Sequence, residues 1–491
     1  MKGLASGLEK LIKSICTVLL VLVVLMAFVQ RSGIILGFAI SLFAAYFFYR
    51  FDISHKRFLI ILIVMSSLIR IGVAVGLHNP QLSDFGTLYD ISEQLEAGQL
   101  QKDGQHYLNV FNYQAPFVIY QSFLLRLFHS LVVLKLMNVL VSVLGLILMY
   151  RIINRIAGKK SAQVFTLLYS VFINTILFNN VLSNQHLFSF LILLSFDILG
   201  NEKILKNVYL KIMACALIMG LANLIRPEAV LSVLTFLAFF VYLFIKEEIS
   251  IRDFIVRALI LVVVYLAVSK VPIWGLRQVG FIENESINDN LFKFVLGLDI
   301  DHNGRWSEEK YAKCFSFTDK KELRAFEIQE IKNGLFDIRV FRLFLIKIFG
   351  FWNDFDFSWS VGYLCKNAGV FDNKYGYFYD FINLYDMTIW VIVLLLAIYG
   401  LIRSENDKGR IFSILLIGVF ITYLFIEIQG RYAFPYRLYV FILAAIGLDK
   451  FVENMRKRNF FNILKLNRFE NKKILDKFKK VEYYCSNNLK E

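Results

Sequence analysis

Charge is scarce in this chain. Only 19% of its 491 residues are charged, while 57% are hydrophobic. So few charges cannot coat a soluble domain, which excludes a chain bathed mostly in water. Histidine and cysteine are scarce as well, at six and five residues. Neither type shows the paired spacing of a zinc site. No Gly-rich phosphate loop is visible, which removes the common nucleotide-binding motifs. Of the cysteines, only Cys314 and Cys365 share a segment where a disulfide would be able to form; Cys16 and Cys215 fall in apolar runs and Cys485 in the tail.

What the chain has instead is a series of apolar runs separated by short charged loops. Each is long enough to cross roughly 30 Å of hydrocarbon. About twelve spans are expected, at 13–29, 34–50, 58–77, 131–150, 161–178, 181–199, 207–224, 227–245, 254–273, 385–402, 411–427 and 433–449. The fold class is an all-α polytopic membrane protein. No small-residue cleavage site follows the first run, so it reads as a retained helix.

Lys and Arg favour cytoplasmic loops. One set of short loops holds fourteen of them, from Arg50 and Lys56 to Lys408 and Arg410; the opposite turns hold Arg31, Arg226 and Arg431. That asymmetry places both termini in the cytoplasm of a plasma-membrane protein. The expected organisation is a two-helix segment 1–57, a core 58–273 with a first outer loop 78–130, an extracytoplasmic segment 274–384, closing helices 385–449, and a basic cytoplasmic tail 450–491. The net charge of +15 reflects that tail, which suits anionic membrane lipids better than nucleic acid.

Polar residues beside apolar spans are costly and therefore informative. Three clusters stand out, all on the expected outer face. The first is PQLSDFGTLYD from Pro80. Here Phe85, Leu88, Ile91 and Leu95 recur at helical spacing, as in a helix lying along the membrane surface. Asp84 fits an N-cap, and equally a general base, since a carboxylate there is suited to take a proton from an incoming hydroxyl. Asp90, six residues on, points away from it.

The second cluster is Arg226-Pro227-Glu228, with proline suited to the first turn of the next helix. Arg226 reads either as a snorkelling arginine paired with Glu228 or as a phosphate-gripping fork. The third is FIEIQGRYAFPYRLY, which gathers Glu427, Gln429, Arg431, Tyr432 and Arg437 within about three helical turns. Arg437, about a turn inside the last span, needs a partner, either Glu427 or an anionic ligand. In the long outer segment Trp352 and Trp359 read as interface aromatics, and His302, Asn303 and Trp306 stay open.

The order of these motifs resembles a known family. SDF and YD stand in the first outer loop, Arg-Pro follows a middle span, and Gln-Gly-Arg-Tyr with a nearby Pro precedes the last span. This is similar to the GT-C superfamily of membrane glycosyltransferases, in particular bacterial members such as protein O-mannosyltransferases and the lipid A aminoarabinose transferase. The resemblance covers most of 58–450. It implies an enzyme that takes a sugar from a polyprenyl-phosphate carrier and passes it to a glycan, lipid or protein acceptor outside the membrane. It implies Asp84 as the catalytic carboxylate and Arg226 and Arg431 as carrier-phosphate ligands, with Tyr432 and Gln429 positioning the phosphate. Asp90, Glu228, Glu427 and Arg437 are supporting candidates. Surface helices are expected at 85–97 and 115–128. Some relatives carry adjacent acidic residues in the first loop, whereas Asp84 stands between Ser83 and Phe85, so a divalent metal stays open. Two other functions fit the composition: a flippase or transporter of lipid-linked oligosaccharide, and a polysaccharide polymerase or ligase.

Overall fold

The computed structural model describes residues 2–30, 50, 52–283, 291–361, 373–404 and 409–457. Among them every regular element is a helix. Five described helices are long and apolar enough to cross a membrane, and three shorter apolar helices join them. Residues 34–49 of the expected span 34–50, Cys365 and the tail after 457 lie outside the described residues.

The chain opens with α1 (Lys2–Gln30) and α2 (His55–Gly76). The loop 78–130, expected on the outer face, folds as α3 (Asp84–Glu96), α4 (Lys102–Val110) and α5 (Ala115–Phe128). The apolar stripe of α3 faces protein and not the membrane surface: Phe85, Leu88 and Ile91 are buried. The reason is α5, whose Val118 carbonyl and Gln121 amide oxygen both lie within hydrogen-bond reach of the Ser92 hydroxyl.

Next comes α6 (Leu131–Ser170), a hairpin in helical guise. At Gly158, φ 78° and ψ 171° break the helix, a conformation only glycine takes without strain. The half before Gly158 runs antiparallel to α2. Lys135 donates to the Leu77 carbonyl at 3.3 Å, and Tyr150 meets His55 at 2.6 Å. The half after it runs back up. Lys159 lies 2.7 Å from Asp52, and Arg70 donates to the Ser170 carbonyl at 3.1 Å.

The expected span 161–178 is cut short at Ser170. The chain breaks into α7 (Ile173–Leu177) and a 3-10 turn (Phe178–Asn180) before α8 (Gln185–Gly200). Irregular backbone in an apolar bundle needs internal partners, and side chains supply them. Asp386 accepts from the backbone N–H groups of Ile173 and Asn174 at 2.7 and 2.6 Å. Asn138 donates to the Val181 carbonyl, and Gln81 both donates to Asn180 and accepts from Leu182.

Three helices follow: α9 (Val208–Ile225), α10 (Ala229–Ile245) and α11 (Ile251–Gln278). The proline of the second cluster stands just before α10, not inside its first turn. The segment 274–384 holds α12 (Phe292–Gly297), α13 (Glu308–Phe315), α14 (Lys320–Phe336) and α15 (Val340–Trp352). The chain closes with α16 (Asn373–Arg403), α17 (Arg410–Phe425) and α18 (Phe434–Lys457). Helices α16 and α18 cross backbone to backbone: a Cβ on Gly447 would stand 1.8 Å from the Leu396 carbonyl oxygen. Small residues at a crossing of this kind let dispersion act over the whole interface.

Candidate active site

The three polar clusters meet. Asp84, Arg226, Glu228, Glu427, Gln429, Arg431 and Tyr432 all line one cavity of about 310 Å³ at the α3, α9–α10 and α17–α18 ends. Small-ligand sites begin at roughly this volume. Residues more than three hundred positions apart in sequence thus share one wall.

Asp84 is held by the backbone around it. It is the first residue of α3, and Ser83 takes the N-cap position expected of it, with φ 53° and no side-chain cap bond. A positive φ at a non-glycine residue is strained. It is kept because the chain must turn sharply here, with Gln81 already tied to the broken segment. Freed from capping, the Asp84 carboxylate is half exposed and lies 3.3 Å from the Arg431 guanidinium.

Arg431 itself is only 6% exposed. Its guanidinium carbon lies 4.6 Å from the centroids of both the Phe85 and Trp359 rings, an arrangement that holds a cation through both ring quadrupoles. Its carbonyl accepts from Gln185. Trp359, expected to be a plain interface aromatic, is therefore part of the site's support. The Tyr432 ring stands between the arginines, 5.6 Å from Arg431 and 5.7 Å from Arg226.

Arg226 is paired, as the snorkelling alternative foresaw. Its Nε donates to Glu228 at 3.0 Å, one terminal nitrogen makes a second bond to the same carboxylate, and the other donates to Asn184 at 2.7 Å. Burial pulls its pKa down, but the Glu228 carboxylate outweighs that and the net shift is upward.

Two cavity residues carry no signal in the sequence. Lys293, from α12, lies 2.7 Å from the fully buried Glu427 carboxylate, which also accepts from Gln429 at 2.8 Å. Burial alone would lower its pKa; Glu427 reverses this and the net shift is upward. The close approach depends on Gly297, where a Cβ would stand 2.3 Å from the Phe425 carbonyl oxygen. It lets the Glu427 N–H bond the Lys293 carbonyl at 2.9 Å. Tyr113 also lines the cavity, its phenol pushed up to about 12 by burial. A lone lysine and a lone tyrosine in helical turns this short have no periodicity to betray them.

Two candidates fall outside. Arg437 is buried, and its partners are neither Glu427 nor a ligand site but the main-chain carbonyls of Phe351, Trp352, Asp354 and Gly430, with the Asn174 amide oxygen at 3.5 Å. Asp90 is exposed on the far side of α3 and does not line the cavity. Trp352 is core, while Trp306 lines the cavity; His302 pairs with Asp299 at 2.8 Å.

Each cavity carboxylate is thus matched by a cation: Asp84 with Arg431, Glu228 with Arg226, Glu427 with Lys293. Among the described residues no three His, Cys, Asp or Glu side chains come together as metal ligands would.

No family model and no curated protein matches the chain. Solved structures do. ArnT from Cupriavidus metallidurans, bound to undecaprenyl phosphate, is similar over 80% of this chain and 77% of its own, at 14% identity and a TM-score of 0.37. The archaeal oligosaccharyltransferase AglB from Archaeoglobus fulgidus, in complex with an inhibitory peptide and a dolichol-phosphate, is similar over 84% of this chain and 52% of its own, at 12% identity and a TM-score of 0.42. Both are members of the GT-C superfamily. At such scores neither gives any side chain of this protein a role.

Proposed function

We propose that this protein is a membrane glycosyltransferase that moves a sugar from a polyprenyl-phosphate carrier to an acceptor hydroxyl on the outer face of the plasma membrane, with both termini cytoplasmic. One observation carries the reading: a carboxylate from the first outer loop and arginines from two other outer turns line a single cavity. The motif order that resembles GT-C enzymes supports it independently.

The reaction is a single inverting displacement. Asp84 takes the proton of the acceptor O–H as that oxygen attacks the anomeric carbon. The bond between that carbon and the phosphate oxygen breaks, and its electron pair stays on the phosphate, whose charge rises by one. Protonation neutralises Asp84 in the same step, so Arg431 loses its carboxylate partner as the phosphate gains charge. Arg431 is then free to serve the leaving group, a form of preorganised electrostatic stabilisation. Arg226 and Lys293 add positive potential, and Tyr432 and Gln429 orient the phosphate. Val230 and Phe294, at 42% and 37% exposure, form an apolar side of the cavity suited to the prenyl chain.

The test is sugar transfer from radiolabelled polyprenyl-phosphate sugar in membranes that hold the normal amount of an Asp84→Asn variant. A loss of about 10²-fold or more is expected when a general base is removed. Unchanged transfer sinks Asp84 as the base. A wild type inactive with every monosaccharide donor, yet moving intact lipid-linked glycan, turns the reading to a flippase.

A further inference from the structure

Below the large cavity lies a second one of about 40 Å³, lined among others by Arg70, Ser142, Thr175, His186 and Ser189. Asn184 and Gln185 face the upper cavity and His186 the lower, so the start of α8 and the residue before it divide them.

Arg70 sits on α2 six residues before its end, roughly 9 Å down the helix. It is 1% exposed. Its hydrogen bonds go to neutral acceptors, the Ser170 carbonyl and the Thr175 hydroxyl, both at 3.1 Å. Among the described residues its Nε and the Ser189 hydroxyl are buried without a hydrogen-bond partner. Among the described residues no acidic side chain lines the cavity. A guanidinium in an apolar bundle keeps its full charge, and neutral dipoles offset only part of its desolvation cost. This is the reverse of the upper cavity, where each cation has a carboxylate.

We propose that the lower cavity binds a small monovalent anion, of the halide class, between Arg70 and Ser189. The volume sets the size: about 15 Å³ is enough for one water, so 40 Å³ takes a chloride or bromide and excludes a sugar phosphate. The anion ties α2 to α8 and to the broken segment, whose last residue, Asn184, accepts from Arg226. It therefore braces the floor of the upper cavity without joining its chemistry.

The test is thermal unfolding of the purified full chain in lipid nanodiscs, with sodium chloride replaced stepwise by sodium gluconate at constant ionic strength. A saturable rise in Tm of roughly 3 °C or more with chloride is expected, as for any ligand of the folded state alone. Bromide should act likewise, and Arg70→Met should abolish the rise. Should that variant fail to fold, Ser189→Ala keeps the guanidinium and is expected to move half-saturation to a several-fold higher chloride concentration. A Tm indifferent to chloride means the cavity holds water only and overturns the proposal. An equal rise in the wild type and in Ser189→Ala is a general salt effect, and overturns it too.

Discussion

Arg431 and Arg437 stand six residues apart in one motif, and both are buried, yet they do opposite work. Arg431 faces a half-exposed carboxylate across a cavity and rests between two aromatic rings. Arg437 spends its donors mainly on four main-chain carbonyls that belong to the end of α15, the loop after it and the turn before α18, with the neutral Asn174 side chain as a fifth acceptor. The difference lies in the partners. A charge that faces a side chain and open volume can change partner during a reaction. One locked to backbone carbonyls can only hold a shape.

The largest expected effect tests the clamp. Arg437→Met leaves those carbonyls buried without donors and should cost about 3–5 kcal/mol of stability, read as lost folded yield or a collapsed Tm. Full-length folded protein with a normal Tm would place Arg437 nearer to Arg431 in kind. Arg431→Met should reduce sugar transfer by roughly 10²–10³-fold while Tm changes little; a variant that loses fold and activity together would erase the contrast.

Lys347 extends the clamp side. It is buried and donates to the Gly297 and Ile426 carbonyls at 2.6 and 2.8 Å. Burial lowers its pKa to about 7, with Glu427 opposing. Between that value and the usual lysine pKa of about 10.4 the unfolded chain holds a proton that the folded chain has released. Stability from this group therefore increases as pH rises from 7 towards 10. Lys347→Met should flatten that increase, as chemical denaturation at pH 7 and pH 9.5 would reveal. The smallest effect is expected at Asp90: its exposed carboxylate lines neither cavity, so Asp90→Asn should stay within about 0.5 kcal/mol in stability and leave transfer near wild type.

Much of the site is legible in the sequence because polar residues beside apolar runs are costly wherever they occur. Asp84, Arg226, Glu427, Gln429, Arg431 and Tyr432 stand out for that reason, and all line the cavity. Lys293 and Tyr113 do not, since a single polar residue in a short connecting turn between spans violates no pattern. Arg437 was visible but unreadable. Its partners are mostly backbone carbonyls up to 86 residues away, with the Asn174 side chain 263 residues away, and every residue offers the same carbonyl.

By itself the sequence determined a helical bundle in an apolar solvent and a short roster of expensive polar residues, because periodicity and transfer cost are local properties. Only the tertiary structure decided which charges share a cavity, which are locked to the backbone, and that the span expected at 161–178 breaks after Ser170. Those outcomes depend on which helix ends meet in space, and no stretch of sequence carries that information alone.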